Sequence, residues 1–149
     1  MKLTVFSPHP DDATSSNNAS IVVRVEAGGL SVLFSGDCEA SRWESICRYF
    51  GEGGTLRSDI LVAPHHGSRD AISEEALRCI QPRHIAISAG RDNSYGHPHE
   101  EALHLYARYG TVRITTGGTI RYKYESVLPF DLMKIIGVEQ FDMIPAIAS

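Results

Sequence analysis

Residues 59–68 read DILVAPHHGS: a short apolar run that stops at a proline, followed by two adjacent histidines, a glycine and a serine. The run 59–63 is too short for a helix and carries Ile, Leu and Val in succession, as a buried strand does. In layered α/β folds functional groups gather where strands end and loops begin, and His65 and His66 stand at such a point. Successive side chains of an extended chain point to opposite faces, so core packing explains at most one of the two. Imidazole is the commonest protein ligand of zinc. Gly67 permits close backbone approach, and the Ser68 hydroxyl can bond a ligand oxygen. The structural alternative is a buried imidazole hydrogen-bonded to backbone.

Upstream, residues 3–7 read as a short strand and 8–18 as a polar loop with two Pro, two Asp, two Ser and two Asn. Residues 20–27 (SIVVRVEA) alternate and are β-branched, which predicts a strand. Gly28-Gly29 marks a tight hairpin turn, and 31–35 (SVLFS) is the returning strand, ended by Gly36-Asp37. Residues 39–50 place Trp43, Ile46, Cys47 and Phe50 at helical spacing. Downstream, 73–80 is a helix with Ser73 as its cap and Glu74-Glu75 in the first turn, where the helix dipole favours them. Residues 84–88 (HIAIS) form a strand, 90–99 a loop, and 100–109 a helix with Gly110 as its C-cap. A final hairpin pairs 112–115 with 119–124 across Gly117-Gly118. Strands and helices thus interleave, which predicts a mixed sheet in an α/β layered domain over residues 1–126. Residues 127–149 read as a tail with one possible helix (DLMKIIGV) and no legible chemistry.

With 149 residues, 42% hydrophobic and 21% charged, the composition is that of one globular domain. The formal charge of -4 does not advertise a nucleic-acid or membrane surface, although a bound metal or a local arginine cluster reverses the field at one site. No stretch approaches the ~18 apolar residues of a membrane span, and residues 1–7 are too short for a signal-peptide core. The expectation is a cytoplasmic protein without a membrane segment. Cys38, Cys47 and Cys79 are odd in number and widely spaced, so they read as free, buried thiols.

Two further strand ends carry ligand-type residues. Asp37 follows Gly36 and can present a carboxylate to a cation, although Gly-Asp also suits a plain turn. The loop Asn93-Ser94-Tyr95-Gly96-His97-Pro98-His99 follows the strand HIAIS, with His97 restricted by the proline after it. Glu100 and His104 are four apart on one helix face, where a surface ion pair is the simpler reading, and His99 carries no stronger signal. Arg69 and Arg91 sit in the two loops, either as phosphate contacts or as solvated loop charges.

In order and spacing, NNASIVVRV, LFSGDCE, DILVAPHHGS, AISAGRDNSYGHPHEEALHLYARYG and ITTGGTI resemble the metallo-β-lactamase domain of ComEC-type DNA-uptake proteins over residues 3–124. The resemblance implies a two-layer αββα sandwich, of which this chain supplies one half: a mixed sheet with helices on one face. It implies that Asp37 is the family's bridging metal aspartate and that His66, with or without His65, is its last metal histidine. It places Asn93 and His97 in the same cleft as catalytic residues, His97 protonating a leaving oxygen or binding a phosphate oxygen. One or two zinc or manganese ions, a phosphodiester or nucleic-acid substrate, and metal-assisted hydrolysis follow from it.

The sequence also departs from that family. Its HxHxDH motif is absent, and Asn17-Asn18 stand where its middle ligand would fall. The missing half is therefore expected from a second chain, a second copy of this chain, or a longer protein of which this is a piece. Without it, a degenerate non-catalytic interaction module is the alternative. Residues 8–12 (PHPDD) also resemble the metal motif of LmbE/PIG-L-type zinc deacetylases, with Ala13 where that family has Glu. The same loop, with His9, Asp11 and Asp12, offers substitute ligands for the cleft.

Overall fold

The computed structural model describes residues 1–8, 15–71 and 73–122. The turn at Gly28-Gly29 organises the first half. Both glycines have positive φ (58° and 85°), the backbone that lets a two-residue loop join strands with the natural twist. It connects β2 (Val22–Ala27) to β3 (Leu30–Phe34), which pair antiparallel from Ala27↔Leu30 to Val23↔Phe34. β1 (Lys2–Ser7) lies antiparallel on the far side of β2.

Three crossovers then add parallel strands. α1 (Ala40–Phe50) leads to β4 (Ile60–Val62), α2 (Glu74–Ile80) to β5 (His84–Ile87), and α3 (Glu100–Ala107) to β6 (Thr111–Ile114). The order in the sheet is β1-β2-β3-β4-β5-β6, antiparallel in its first two pairings and parallel in its last three. This is the mixed α/β sheet the sequence predicts. Ser73 caps α2 as expected, its hydroxyl accepting the Ala76 N–H at 3.2 Å.

The helices cover one face. Phe6, Val22, Leu33, Leu61, Ala63, Ile85 and Ile87 from the strands form a single buried cluster with Trp43 and Ile46 of α1, Leu77 and Ile80 of α2, and Ala102 and Tyr106 of α3. The other face is apolar as well. Cross-strand partners give two rows: Leu3, Val25, Val32, Ile60 and His84, then Val5, Val23, Phe34, Val62 and Ala86. None of these ten belongs to the helix-covered cluster. Val32 and Ile60 are buried, while Leu3, Val5 and Phe34 are 59%, 60% and 40% exposed. At the β5 end of the first row, the Tyr122 ring lies 5.0 Å from that of His84.

Two local expectations fail. The final hairpin is not seen among the described residues: after β6 the chain enters a 3-10 turn at Thr115–Gly117, and residues 119–122 are not a strand, while 123 and 124 lie outside the described residues. The Thr115 hydroxyl accepts from the Ala89 N–H at 3.0 Å and lies 3.2 Å from the Ala89 carbonyl, which draws the chain back over the end of β5. Gly110 is not the C-cap of α3, which ends at Ala107 with Arg108 as its cap. Gly110 instead sits beneath the Pro82 carbonyl, where a Cβ would approach to 2.8 Å. Cys38, Cys47 and Cys79 form no disulfide, with Cys79 only half-buried. Among the described residues no helix is long and apolar enough to cross a membrane. The tail 127–149 lies outside the described residues.

Candidate functional site

Because β3, β4 and β5 run parallel, their carboxyl ends open on one edge of the sheet, and the loops that leave them carry Asp37, His65-His66 and 89–99. Backbone hydrogen bonds tie the three loops together. The His65 N–H donates to the Gly36 carbonyl (2.9 Å) and the His99 N–H to the Gly67 carbonyl (3.0 Å). The Arg69 N–H donates to His99 Nδ1 at 3.1 Å. Gly67 is where two loops touch: with φ +83°, a Cβ there would lie 2.7 Å from the Pro98 Cβ.

The backbone at the two histidines is not extended. His65 (φ 46°, ψ 46°) and His66 (φ 55°, ψ 21°) both occupy the left-handed region within a 3-10 turn, Pro64–Gly67. That region costs a non-glycine residue about 1–2 kcal/mol, and such outliers persist where surrounding structure enforces them, commonly at functional sites. Strand alternation therefore does not govern this pair. Neither imidazole enters the core: His65 is half-buried and His66 exposed.

His66 is held in one orientation. Its Nδ1 lies 2.8 Å from the Ser88 carbonyl oxygen. A carbonyl only accepts, so the ring proton sits on Nδ1 and Nε2 of the neutral ring carries a bare lone pair. Nε2 faces Asp37 Oδ1 at 3.8 Å. The Asp37 loop is anchored in turn, its N–H donating to the Ser20 hydroxyl at 3.0 Å. Two acceptors opposed across 3.8 Å repel unless a proton or a cation lies between them. A backbone carbonyl that takes the far N–H of an imidazole is the usual support of a metal-ligating histidine.

The other rings gather beside this pair. His97 lies 5.4 Å from His65, 6.4 Å from His66 and 4.8 Å from His99 by ring centres. Burial is the first cause that lowers the His97 pKa below the ordinary histidine value. Positive charge on His99, His65 and His66 adds to that, against the opposing pull of Asp37. A neutral His97 suits accepting a hydrogen bond better than protonating a leaving oxygen. Asn93 spends its amide on the loop: Oδ1 accepts the His97 N–H (2.8 Å), and Nδ2 donates to the Gly90 (2.9 Å) and His97 (2.6 Å) carbonyls. It positions His97.

Asp37 and His66 fit a first-row metal as two donors, since ligands ~2 Å from a tetrahedral zinc stand about 3.3 Å apart. Among the described residues, however, no group of three His, Cys, Asp or Glu is arranged to hold a metal ion. Asn17 and Asn18, at the position of a missing ligand, hydrogen-bond Glu39 at 2.9 and 3.3 Å and fasten the loop to the start of α1. His9, Asp11 and Asp12 lie outside the described residues.

Arg69 pairs with Glu101 at 2.7 Å, and Arg91 donates to the Thr116 carbonyl at 3.1 Å. His104 and Glu100 form the exposed pair expected of them, at 3.8 Å. Sequence reasoning missed Ser20 and the Ser88 carbonyl, whose roles depend on tertiary contact alone. It also passed over Tyr95, whose ring lies 5.8 Å from that of His97, nearly parallel to it.

No family model matches the chain. Among curated proteins it is 35% identical over 128 residues to ComE operon protein 3 of Bacillus subtilis (strain 168), covering 85% of this chain and 16% of that protein. It is 35% identical over 100 residues to Competence protein ComA of Neisseria gonorrhoeae, covering 67% of this chain and 14% of that protein. It is 34% identical over 105 residues to Recombination protein 2 of Haemophilus influenzae (strain ATCC 51907 / DSM 11121 / KW20 / Rd), covering 70% of this chain and 13% of that protein. The chain thus spans about one sixth or less of the length of these relatives.

Proposed function

We propose that this chain is the carboxyl-side half of a metallo-β-lactamase-like, metal-dependent phosphodiesterase of the ComEC type, acting on a nucleic-acid strand in DNA uptake. The observation that carries this reading is the opposed pair His66 Nε2 and Asp37 Oδ1 at 3.8 Å, a spacing that calls for a proton or a cation between them and that two metal donors would satisfy. Relatives named for competence at 35% identity support the DNA-uptake context.

Zinc or manganese, as one or two ions, would supply Lewis acidity and a bound water of pKa near ~7. Asp37 and His66 would hold it, with His65 beside them. Neutral His97 would hydrogen-bond the substrate, positioned by Asn93. With two donors in place, the remaining ligands come from outside the described residues. An amino-terminal half in a longer chain, a separate chain or a second copy would supply them. The apolar rows of the sheet, with Leu3, Val5 and Phe34 open to water, fit such a half, because exposed apolar surface marks an interaction site.

Metal content by mass spectrometry tests the reading, on wild type beside Asp37→Ala and His66→Ala. The expected result is zinc or manganese in wild type and none in either variant, with chelator-sensitive phosphodiesterase activity once the completing half is present. Wild type that takes up no metal, with or without that half, refutes it. The missing third donor favours a second reading, a non-catalytic interaction module. That reading expects full assembly and no activity under the same conditions.

A further inference from the structure

Tyr95 is the most exposed aromatic ring among the described residues, at 77%, and it stands at the rim of the histidine cluster. Its plane lies 23° from that of His97 at 5.8 Å, and His97 lies 24° from His66 at 6.4 Å. The three rings form a loose ladder from solvent down to the atom that faces Asp37. Tyr95 lies nearly parallel to His97, and most of its surface meets solvent.

The turn beneath the ring is stapled. Asn93 bonds the Gly90 and His97 carbonyls and the His97 N–H, and the Gly96 N–H donates to the Asn93 carbonyl at 3.2 Å. An exposed ring on a stapled turn, nearly parallel to a neighbouring imidazole, is placed to receive a planar group. Nucleobases stack on such rings with little regard to sequence, because every base has a π-face.

We propose that Tyr95 is the base-stacking platform of this site, selecting a strand whose base next to the reacting phosphate is unpaired. Within a duplex both faces of a base are already taken by its neighbours. The proposal rests on the phosphodiester reading above, and it assigns the part of the substrate that the metal-side residues do not touch.

The test is fluorescence anisotropy of the full chain, with and without zinc, on oligo-dT and on an abasic strand of the same length. Wild type is expected to favour oligo-dT by on the order of 5- to 100-fold. Tyr95→Ala should lose that preference and keep its affinity for the abasic strand. Tyr95→Trp should keep it, with indole emission quenched by oligo-dT and not by the abasic strand. Equal binding of both strands by wild type, or an undiminished preference in Tyr95→Ala, overturns the platform and leaves the nucleic-acid reading standing. Binding of neither strand overturns the platform, while the phosphodiester reading is judged separately by the metal and activity assays with the completing half.

Discussion

Replacing His65 by glycine should give a more stable protein than replacing it by alanine, the reverse of the order expected in ordinary backbone. His65 sits at φ 46°, ψ 46°, where a Cβ costs about 1–2 kcal/mol. Both variants lose the same ring and its contacts with His66 and His97, so these cancel in the comparison. Alanine keeps the left-handed strain. Glycine removes it, and gives back about 0.5–1 kcal/mol through the greater freedom of its unfolded chain. The net advantage of glycine is about 0–1.5 kcal/mol, centred on ~0.7 kcal/mol, or up to roughly 6 °C in Tm for a chain of this size. Urea unfolding of the two variants at pH 7, fitted with a common slope, measures it. His66→Gly tests the neighbouring residue: its relief is offset by loss of the bond to the Ser88 carbonyl, about 0.5–1.5 kcal/mol, so stability should change little while bound zinc is lost. If the alanine variant at position 65 equals or exceeds the glycine variant, the two histidines are not strained and the argument from backbone to function fails.

Gly67→Ala should destabilise by about 2–5 kcal/mol in the same assay, from ~1–2 for the left-handed backbone and ~1–3 for the clash. The new Cβ would meet the Pro98 Cβ at 2.7 Å and Ile87 Cγ2 at 3.3 Å; a loss under ~1 kcal/mol would mean the two loops are not locked. Tyr106 is fully buried and its hydroxyl has no hydrogen-bond partner among the described residues, and burial pushes its pKa up. Tyr106→Phe should therefore raise stability by up to ~1 kcal/mol, and a clear loss would reveal a hydrogen bond. An NMR titration of metal-free protein should place the His97 midpoint below 6.5. Between that midpoint and 6.5 the unfolded chain binds more protons than the folded one. This share of stability is thus complete above 6.5, declines as pH falls through that window and is level below it; a midpoint above 6.5 contradicts the burial argument.

What the sequence made legible follows from how locally each feature is encoded. The hairpin at Gly28-Gly29 and the Ser73 cap depend on a few adjacent residues and appear where expected. Strand runs such as ILV at 60–62 are apolar because both faces of the sheet are apolar, so their alternation is weak and their existence clear. The return strand expected after Gly117-Gly118 is not seen over 119–122, where Thr115 is bonded instead to Ala89, 26 residues away. At the site, Asp37, His65, His66 and His97 were legible as ligand-type residues at strand ends. Ser20 and the Ser88 carbonyl were not, because a serine and a peptide oxygen carry no pattern until the fold brings them to Asp37 and His66. The left-handed backbone of His65 and His66 was equally hidden, since histidine does not advertise positive φ as glycine does.

Two shortfalls of this chain point to one remedy. The first is chemical: Nε2 of His66 and Oδ1 of Asp37 face each other as acceptors at 3.8 Å, and no third donor among the described residues joins them. The second is hydrophobic: two apolar rows cross the sheet on the face opposite the helices, with Leu3, Val5 and Phe34 still open to water. Each has its own separate explanation, a proton between the two atoms for the first and ordinary surface apolar residues for the second. They coincide in this fold, however, because the strands that carry the rows are the strands whose ends carry the donors: Phe34 is three residues before Asp37, and Val62 three before His65. A second layer seated on the rows would have its loops beside those donors. Burying the rows and completing the ligand set are then a single event, so metal affinity should depend on the concentration or covalent attachment of the completing half. Lysine at Phe34 and Val5 tests that coupling, since both lie on the exposed row and neither is among the donors. If zinc affinity and assembly fall together, one half-site and one half-core are the same interface. If assembly is lost while full zinc affinity remains, the ligands come from this chain alone.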